Sequence, residues 1–298
     1  MPALKFEKLL CGPSVDMFRK DFVHENLWEV EHADNQKGNN YTNNLYLNRD
    51  GHMTGSTCIK AEMGPVNAEL KMCNSGEHYM EVSAVSPQYP TMKVLSKYVF
   101  NVANSTNGCE LAAENVCPVN TSQVKILPFA RDFSAFSIFN YKMDCCQVFC
   151  GTEVTGKNCA LFSNYALGLG YKRQRDDRTY QFSARLFGER GTLAKSLVGN
   201  IYTATAHGDA QNAMSVALEH DFKSTNTKLM FAGLWHLTAP GNTTPAFVKG
   251  KCDTDGQVAL SLFQRFNSNL AAIIGVEFNG KESINPAAAN YGFKLLLS

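Results

Sequence analysis

Short stretches of strictly alternating apolar and polar residues dominate the last third of the chain. In the final stretch, Tyr291, Phe293 and Leu295 alternate with Gly292 and Lys294. Successive side chains of a β-strand point to opposite faces, so a period of two predicts a strand with a different environment on each side. Many such stretches in a row, each about ten residues long and separated by turn residues, are typical of a transmembrane β-barrel.

Clusters of Gly, Asn, Asp and Ser separate the alternating stretches at nearly regular intervals along the chain. Such residues reverse the chain direction at little conformational cost, so the stretches between them suit antiparallel hairpins. Well-marked candidates run from Asn164–Lys172 to Ala289–Ser298, and weaker ones lie between Glu25 and Thr155. We therefore predict one all-β domain over residues 1–298, in which residues 25–298 form a barrel of about nineteen strands.

The first 22 residues follow a different pattern, that of a helix. Phe6, Leu9 and Leu10 have helical spacing, and the Gly12-Pro13 pair interrupts the stretch. Ser14 is a suitable N-cap for a second short helix. The pattern predicts a helical segment over residues 1–22 that lies on a membrane, plugs a pore or packs on a soluble sheet.

The apolar faces of the candidate strands carry almost no charge. Phe182 and Ala184, for example, alternate with Gln181, Ser183 and Arg185. In a barrel with a wet interior the apolar face meets lipid, where a Lys or Arg near mid-bilayer costs about 2–4 kcal/mol. A soluble sandwich or closed soluble barrel also alternates, but with its apolar face inward. We favour the membrane barrel because charge lies on the opposite face of strand after strand.

The same alternation predicts which charged side chains line the pore. Fixed charge on a pore wall raises the local concentration of counter-ions and so sets ion preference. Bases outnumber acids in this set, which predicts a wide pore with a mild preference for anions, although solvated charges on a water-facing wall give the same pattern. The predicted lining bases are Lys60, Lys71, Lys93, Lys97, Lys125, Lys172, Arg185, Lys228, Lys249, Lys251, Arg265 and Lys294. The predicted lining acids are Glu29, Glu31, Glu62, Glu69, Glu81, Glu219 and Glu277.

Composition and motifs argue against several other classes of protein. A formal net charge of +1 argues against a general nucleic-acid-binding surface. The chain has no Gly-rich phosphate loop, HExxH or GxSxG motif, and its ten cysteines and seven histidines have no zinc spacing. We therefore expect no enzymatic activity, no cofactor and no metal site. The opening residues lack the apolar core of a secretory signal, so we expect a mitochondrial or plastid outer membrane.

Four stretches resemble the mitochondrial porins, the voltage-dependent anion channels. The opening segment keeps the spacing of that family's first helix at Asp16, Phe18 and Lys20. MTGS at 53–56 resembles an early strand of the family, NYALGLGYKR at 164–173 resembles a middle strand, and NPAAANYGFKLLLS at the end resembles its final strand. The acid that the family places on the lipid side of its fourth strand is replaced by an apolar residue near Leu70.

The resemblance implies a nineteen-stranded barrel whose first and last strands pair in parallel, with the helix inside the pore. It implies a voltage-dependent channel of the mitochondrial outer membrane for ATP, ADP, phosphate and other small anions, with the lipid bilayer and the barrel-assembly machinery as partners. The chain could also be a homo-oligomer or part of a larger mitochondrial complex. Alternative functions are the pore of the outer-membrane protein translocase and a structural barrel subunit. The gating residues would be Lys5, Lys8, Asp16, Phe18, Arg19 and Lys20, and the insertion signal Tyr291, Phe293, Lys294 and Leu295.

Overall fold

A computed structural model of the protein shows one 19-stranded sheet closed into a barrel, with a short helix inside it. The structure describes residues 5–36, 38–102, 104–158, 160–207, 210–237, 244–281 and 289–298. Residues 1–4 of the predicted helical segment and residues 285–288 of the porin-like tail lie outside this part of the chain. The predicted fold class and strand number are confirmed.

The elements of the first half follow one another through short turns. They are α1 Phe6–Arg19, β1 Trp28–Gln36, β2 Asn39–Leu47, β3 Met53–Met63, β4 Val66–Cys73, β5 Glu77–Val85, β6 Met92–Asn101, β7 Thr106–Val116, β8 Asn120–Leu127 and β9 Asp132–Lys142.

The second half contains the longest strands of the barrel. They are β10 Cys146–Lys157, β11 Ala160–Arg175, β12 Arg178–Glu189, β13 Thr192–His207, β14 Ala210–Asp221, β15 Asn226–His236, β16 Ala246–Asp253, β17 Gln257–Arg265, β18 Leu270–Asn279 and β19 Asn290–Leu297. Several of these strands extend beyond the predicted ranges, because a strand can continue through polar residues that carry no alternation signal.

Consecutive strands are antiparallel, and the sheet closes through one parallel pairing between β1 and β19. Trp28 lies opposite Phe293, and Val30 lies opposite Leu295. An odd number of strands in sequence order requires such a pairing, because the first and last strands then run in the same direction. The parallel closure implied by the porin resemblance is confirmed, and the predicted insertion strand is β19.

The turn between β3 and β4 shows how the sequence reverses the chain. It has two residues, Gly64 and Pro65, between Met63 and Val66. Gly64 has φ = +63°, a conformation that residues with a Cβ rarely adopt. The hairpin therefore depends on glycine at this position.

The two faces of the barrel wall differ in the way that the alternation predicts. Leu169, Phe182, Ile201 and Met214 are exposed on the outer face of β11–β14. Their neighbours along the same strands, such as Gln181, are buried against the helix inside the barrel. An apolar exterior with a polar interior is the arrangement of an outer-membrane type barrel.

The helix α1 is shorter than the predicted segment, and its kink lies one residue before the predicted break at Gly12-Pro13. The backbone leaves helical geometry at Cys11 (φ −145°, ψ 35°), and Pro13 and Ser14 lie inside the helix beyond the kink. The predicted N-cap role of Ser14 is therefore wrong, and its hydroxyl instead contacts the barrel wall. Among the described residues, no helix is long and apolar enough to cross a membrane.

The apolar side of α1 packs against the inner wall formed by β9–β15. Phe6 and Leu10 are buried with Phe136, Ile138 and Ala166. Beyond the kink, Met17 packs against a second group made up mostly of alanines, from β13, β14 and β15. The alanines of this second group let the helix beyond the kink lie close to the sheet.

Candidate functional site

The strand register places every predicted lining base on the inner face of the barrel. Residues that lie directly opposite each other share a face, and Arg185 and Lys249 define the inner face because both contact α1. The strand pairing can be followed from these two positions around the barrel. It places Lys60 opposite Glu69, and Lys294 opposite Glu29, on the inner face. The predicted acids Glu29, Glu31, Glu62, Glu69, Glu81, Glu219 and Glu277 lie on the same face.

The inner face carries more acids than the sequence predicted. Glu110 lies opposite Lys97, Glu114 opposite Lys93, and Glu153 opposite an inner residue of β9. With these three acids, the predicted excess of five bases on the wall falls to two. The alternation in β7, where Glu110 and Glu114 share a face, could have revealed two of them.

Ion pairs neutralise many of the lining bases. Lys60 Nζ lies 3.1 Å from a Glu69 carboxylate oxygen, and Lys125 Nζ lies 2.8 Å from Glu110. Lys228 pairs with Asp253 at 2.8 Å. Within the described ranges, the bases that form no ion pair include Lys71, Lys93, Lys172 and Arg265.

The predicted insertion strand also carries an ion-pair cluster that spans the parallel closure. Lys294 Nζ lies 2.8 Å from Glu31 and 3.4 Å from Glu29, both on β1. Tyr291 and Phe293 are exposed on the outer face of β19. The closure thus has charge on its inner side and aromatic residues on its outer side.

Glycines in β10 and β11 allow the first half of α1 to approach the wall. A Cβ on Gly168 would overlap the Leu10 side chain and come within 3.0 Å of Phe6. A Cβ on Gly170 would lie 3.3 Å from the Leu10 carbonyl oxygen. The rings of Phe6 and Phe136 complete the contact, with centroids 6.1 Å apart. Larger side chains at these glycines would displace the helix from the wall.

Polar side chains of the wall hold the backbone of α1 around its kink. Gln181 Nε2 donates to the Leu10 carbonyl at 2.6 Å, one residue before the kink. The Ser14 hydroxyl contacts the Ser215 hydroxyl at 2.6 Å and donates to the Asn200 side-chain oxygen at 3.3 Å. These groups are buried, and a hydrogen-bond partner removes the cost of leaving them unpaired. The contacts therefore determine the position of the helix as well as its stability.

Two lysines of β16 bind the last turn of α1. Lys249 Nζ donates to the carbonyl oxygens of Asp16 and Lys20, both at 2.7 Å. Lys251 Nζ donates to the Phe18 carbonyl at 3.2 Å. The last carbonyls of a helix lack partners within the helix and carry partial negative charge, so a cation at this position is favourable. We call Lys249 and Lys251 the C-terminal clamp.

The charged side chains of α1 pair with one another across its kink. Arg19 Nη1 lies 2.6 Å from Glu7, and Lys8 Nζ lies 3.1 Å from Asp16. An unbroken helix would separate residues 7 and 19 by about 18 Å along its axis, so the first pair depends on the bend. Glu7 also contacts Arg185 of the wall at 3.3 Å. Among the remaining predicted gating residues, Lys5 and Lys20 are exposed, and Phe18 lines a cavity between α1 and the inner wall.

A cavity of about 750 Å³ lies between α1 and the inner wall. Its lining carries charges of both signs, from Lys125 and Arg185 on one hand and Glu153 and Glu219 on the other. Phe18 forms part of its apolar lining. The helix therefore narrows the lumen without filling it, and the cavity beside it has both charged and apolar lining residues. Within the described part of the chain, no three His, Cys, Asp or Glu residues are placed to hold a metal ion.

The segment between α1 and β1 lies along the inner face of the barrel, in close contact with β18 and β19. A Cβ on Gly292 would overlap the Val23 carbonyl, and one on Gly275 would lie 3.1 Å from the Val23 side chain. Arg49 donates to the His24 carbonyl at 2.8 Å. These contacts hold the segment against the wall on both sides of Val23.

His24 is a titratable residue of this segment that contacts the barrel wall. Its Nε2 lies 3.2 Å from the Glu277 carboxylate. Burial lowers the pKa of His24, and the neighbouring Glu277 carboxylate only partly opposes that effect. The buried Nδ1 has no hydrogen-bond partner among the described residues, so a second ring proton would have no acceptor there. The docked segment therefore favours the neutral imidazole.

No family model matches the sequence, and no curated protein matches it. Functional assignment therefore starts from the barrel and its lining.

Proposed function

We propose that the protein is a passive channel that lets ions and small metabolites cross an outer membrane, with α1 as its internal constriction. The observation that carries the proposal is the closed barrel with an apolar exterior, a charged inner wall and an unfilled cavity beside the helix that charged residues help to line. A buried helix held by hydrogen bonds to the wall narrows the pore, and the charged lining keeps it wet.

The proposed membrane is the mitochondrial outer membrane, and the proposed cargo includes nucleotides, phosphate and small anions. These finer points rest on the resemblance of 164–173 and of the chain ends to the voltage-dependent anion channels. The near balance of charge on the wall supports only weak selectivity. A preference for anions would depend on bases without ion pairs, such as Lys71, Lys93 and Lys172.

Voltage dependence is part of the proposal because α1 carries charges inside the pore. In α1 and the residues next to it, Lys5, Lys8, Arg19 and Lys20 are offset only in part by Glu7, Asp16 and Asp21. Moving one net charge through the whole field is worth about 2.3 kcal/mol per 100 mV. A shift of the helix along the pore would therefore respond to voltages of physiological size.

Planar-bilayer recording of the purified, refolded protein tests the channel. We expect stepwise conductance increases, a reversal potential close to zero in a salt gradient, and lower conductance at high voltage of either sign. Protein that inserts without conducting would contradict the channel and favour a structural barrel. Deletion of residues 1–22 tests the role of the helix, and unchanged voltage dependence in that variant would exclude it. Cross-linking to an arrested precursor polypeptide would indicate the translocase alternative.

A further inference from the structure

The outer face of the β11–β12 hairpin carries three arginines at the end where the two strands meet. Arg173, Arg175 and Arg178 are all exposed, and Arg175 lies directly opposite Arg178. Gly168 and Gly170 lie against the helix and therefore belong to the inner face of β11. Alternation along the strand turns Arg173 and Arg175 outward, together with Arg178 opposite them. We call these three residues the arginine cluster.

The charges of the cluster are only weakly neutralised within the chain. The turn between the strands contains two acids, Asp176 and Asp177. Arg175 Nε lies 3.9 Å from the Asp176 carboxylate, and both side chains are largely exposed. An exposed pair of this kind contributes little. Among the described residues, Arg173 and Arg178 form no ion pair, so their guanidinium groups are available to another anion.

An aromatic band separates the cluster from the apolar part of the outer wall. Tyr180 lies opposite Arg173, and the next outward pair from the turn is Tyr171 and Phe182. The ring centroids of Tyr171 and Phe182 are 6.3 Å apart. Aromatic side chains of transmembrane barrels concentrate where hydrocarbon meets the headgroups. The cluster therefore lies at the level of the lipid headgroups.

On the other side of this band, the outer wall has an apolar groove of about 610 Å³. Ala184 and Gly199 lie opposite each other in the groove, and a Cβ on Gly199 would meet no atom within 4 Å. Leu169 and Leu218 flank this pair on β11 and β14. A second groove of about 520 Å³ shares Leu169 and Ala184 with the first. The wall thus offers two adjacent grooves to hydrocarbon chains.

We infer that the arginine cluster and the two grooves bind one diacyl phospholipid with an anionic headgroup. Guanidinium groups bind phosphate oxygens in a bidentate manner. Like charges directly opposite each other destabilise a sheet, and a phosphate between Arg175 and Arg178 removes that cost. The grooves extend from the cluster into the hydrocarbon region, where the two acyl chains of the same lipid run. The inference rests on the proposed membrane location of the outer face.

Native mass spectrometry of the refolded protein in a non-ionic detergent measures this binding. The probe is dioleoyl phosphatidylglycerol, and dioleoyl phosphatidylcholine is the matched lipid with the same chains and a zwitterionic headgroup. We expect one phosphatidylglycerol molecule per barrel, bound at least tenfold more tightly than phosphatidylcholine. Equal binding of the two lipids would overturn the inference. Binding of neither lipid would also overturn it and would favour a soluble acidic partner for the arginines.

Replacement of all three arginines of the cluster by Gln tests the headgroup contact. Each base near a membrane surface contributes roughly fivefold to the affinity for an anionic lipid, so the triple variant should bind phosphatidylglycerol roughly a hundredfold more weakly. The matched control removes the same charge from exposed bases at the opposite end of β12–β14, through Arg190→Gln, Lys195→Gln and Lys223→Gln. The control should bind like the wild type. An equal loss in the control, or no loss in the cluster variant, would contradict the assignment.

Two further measurements separate the acyl chains from the phosphate. Gly199→Leu fills the open space of the first groove and should weaken the binding of both lipids by a similar factor. Glycerol phosphate, which has the phosphate without the chains, should not displace the lipid at equal concentration. Displacement would show that the arginines bind a free phosphate and would overturn the lipid assignment, as would unchanged lipid binding in Gly199→Leu.

Insertion and conductance of the same variants distinguish this inference from the proposed function. Flotation with vesicles measures insertion, and planar-bilayer recording measures the channel. Protein that inserts and conducts without preferring the anionic lipid contradicts the lipid site alone. Protein that fails to insert contradicts the proposed function itself.

Discussion

Replacement of Lys249 by Met should release the C-terminal end of α1 from the barrel wall. The lysine is 2 % exposed, and its ammonium group donates to the Asp16 carbonyl, which also accepts the Lys20 N–H, and to the Lys20 carbonyl just beyond the end of α1. Met has a similar length and keeps the apolar part of the side chain in place. The substitution therefore removes the charge and its two hydrogen bonds with little change in volume.

The magnitude follows from the environment of the two carbonyls. A hydrogen bond to a charged group contributes about 1.5–3 kcal/mol. Water can replace the lost partner at the exposed Lys20, and removal of a buried charge recovers part of its desolvation cost. We expect a net loss of about 2 kcal/mol in the docking free energy of α1, which increases the undocked fraction about thirtyfold.

Cys11 provides a built-in reporter of undocking. The Cys11 side chain is fully buried between the helix and the barrel wall, whereas Cys58 is buried on the inner face of β3, away from α1. Labelling with a small water-soluble maleimide, quantified by mass spectrometry, should accelerate about thirtyfold at Cys11 in Lys249→Met and remain unchanged at Cys58. Lys93→Met is the matched control, because Lys93 lies on the inner face of β6 and does not contact the helix.

Three results would refute this reasoning. An unchanged Cys11 rate would show that the lysine does not hold the helix. An equal increase in Lys93→Met would show that loss of any lining charge has the same effect. A parallel increase at Cys58 would indicate that the whole barrel opens.

Other contacts lead to further measurable outcomes. Gly168→Val should overlap the helix and weaken the docking of α1 by about 1–3 kcal/mol, so maleimide labelling of Cys11 should accelerate. Gly199→Val is the control, because a Cβ there has open space, and it should leave the labelling rate unchanged. The pKa of His24 is lowered while its segment is docked on the barrel wall, so the undocked state binds more protons at low pH. Docking of the helix and this segment should therefore weaken as the pH falls below about 6.5. His24→Asn should remove this pH dependence. Lys294→Met leaves Glu29 and Glu31, two residues apart on the inner face of β1, without the cation they share across the parallel closure. It should lower the temperature at which the barrel unfolds on heated gels by several degrees, with no change in the labelling rate before unfolding.

Local alternation was sufficient to predict the strands and to place their side chains on the correct face. Tyr291, Phe293 and Lys294 show this clearly, since the first two face outward and the third faces the pore. The side chains of a strand alternate between its two faces whatever the neighbouring strands are, so the sequence alone predicts which face each side chain occupies. The excess of bases on the wall is smaller than predicted because Glu110 and Glu114, which share the inner face of β7, were not counted among the lining acids.

The position of the helix could not be predicted in the same way. The residues that hold α1 are far apart in the chain: Lys249 contacts the carbonyl of a residue more than 200 positions away, and Gln181 contacts the Leu10 carbonyl. No periodic signal links such residues, because each contact depends on the closed barrel bringing distant strands to the same point. Ser14 illustrates the error that follows, since its hydroxyl matches an N-cap by local rules but pairs with Ser215 instead.

By itself, the sequence determined the number of strands, the direction of their side chains and the apolar outer face of this protein. These properties follow from a two-residue period and from turn residues that act locally. Only the tertiary structure decided how the charges pair across the wall, where the helix bends, and which lysines bind its last turn. Those features depend on the register between distant strands and on closure of the sheet, because both determine which side chains meet inside the pore.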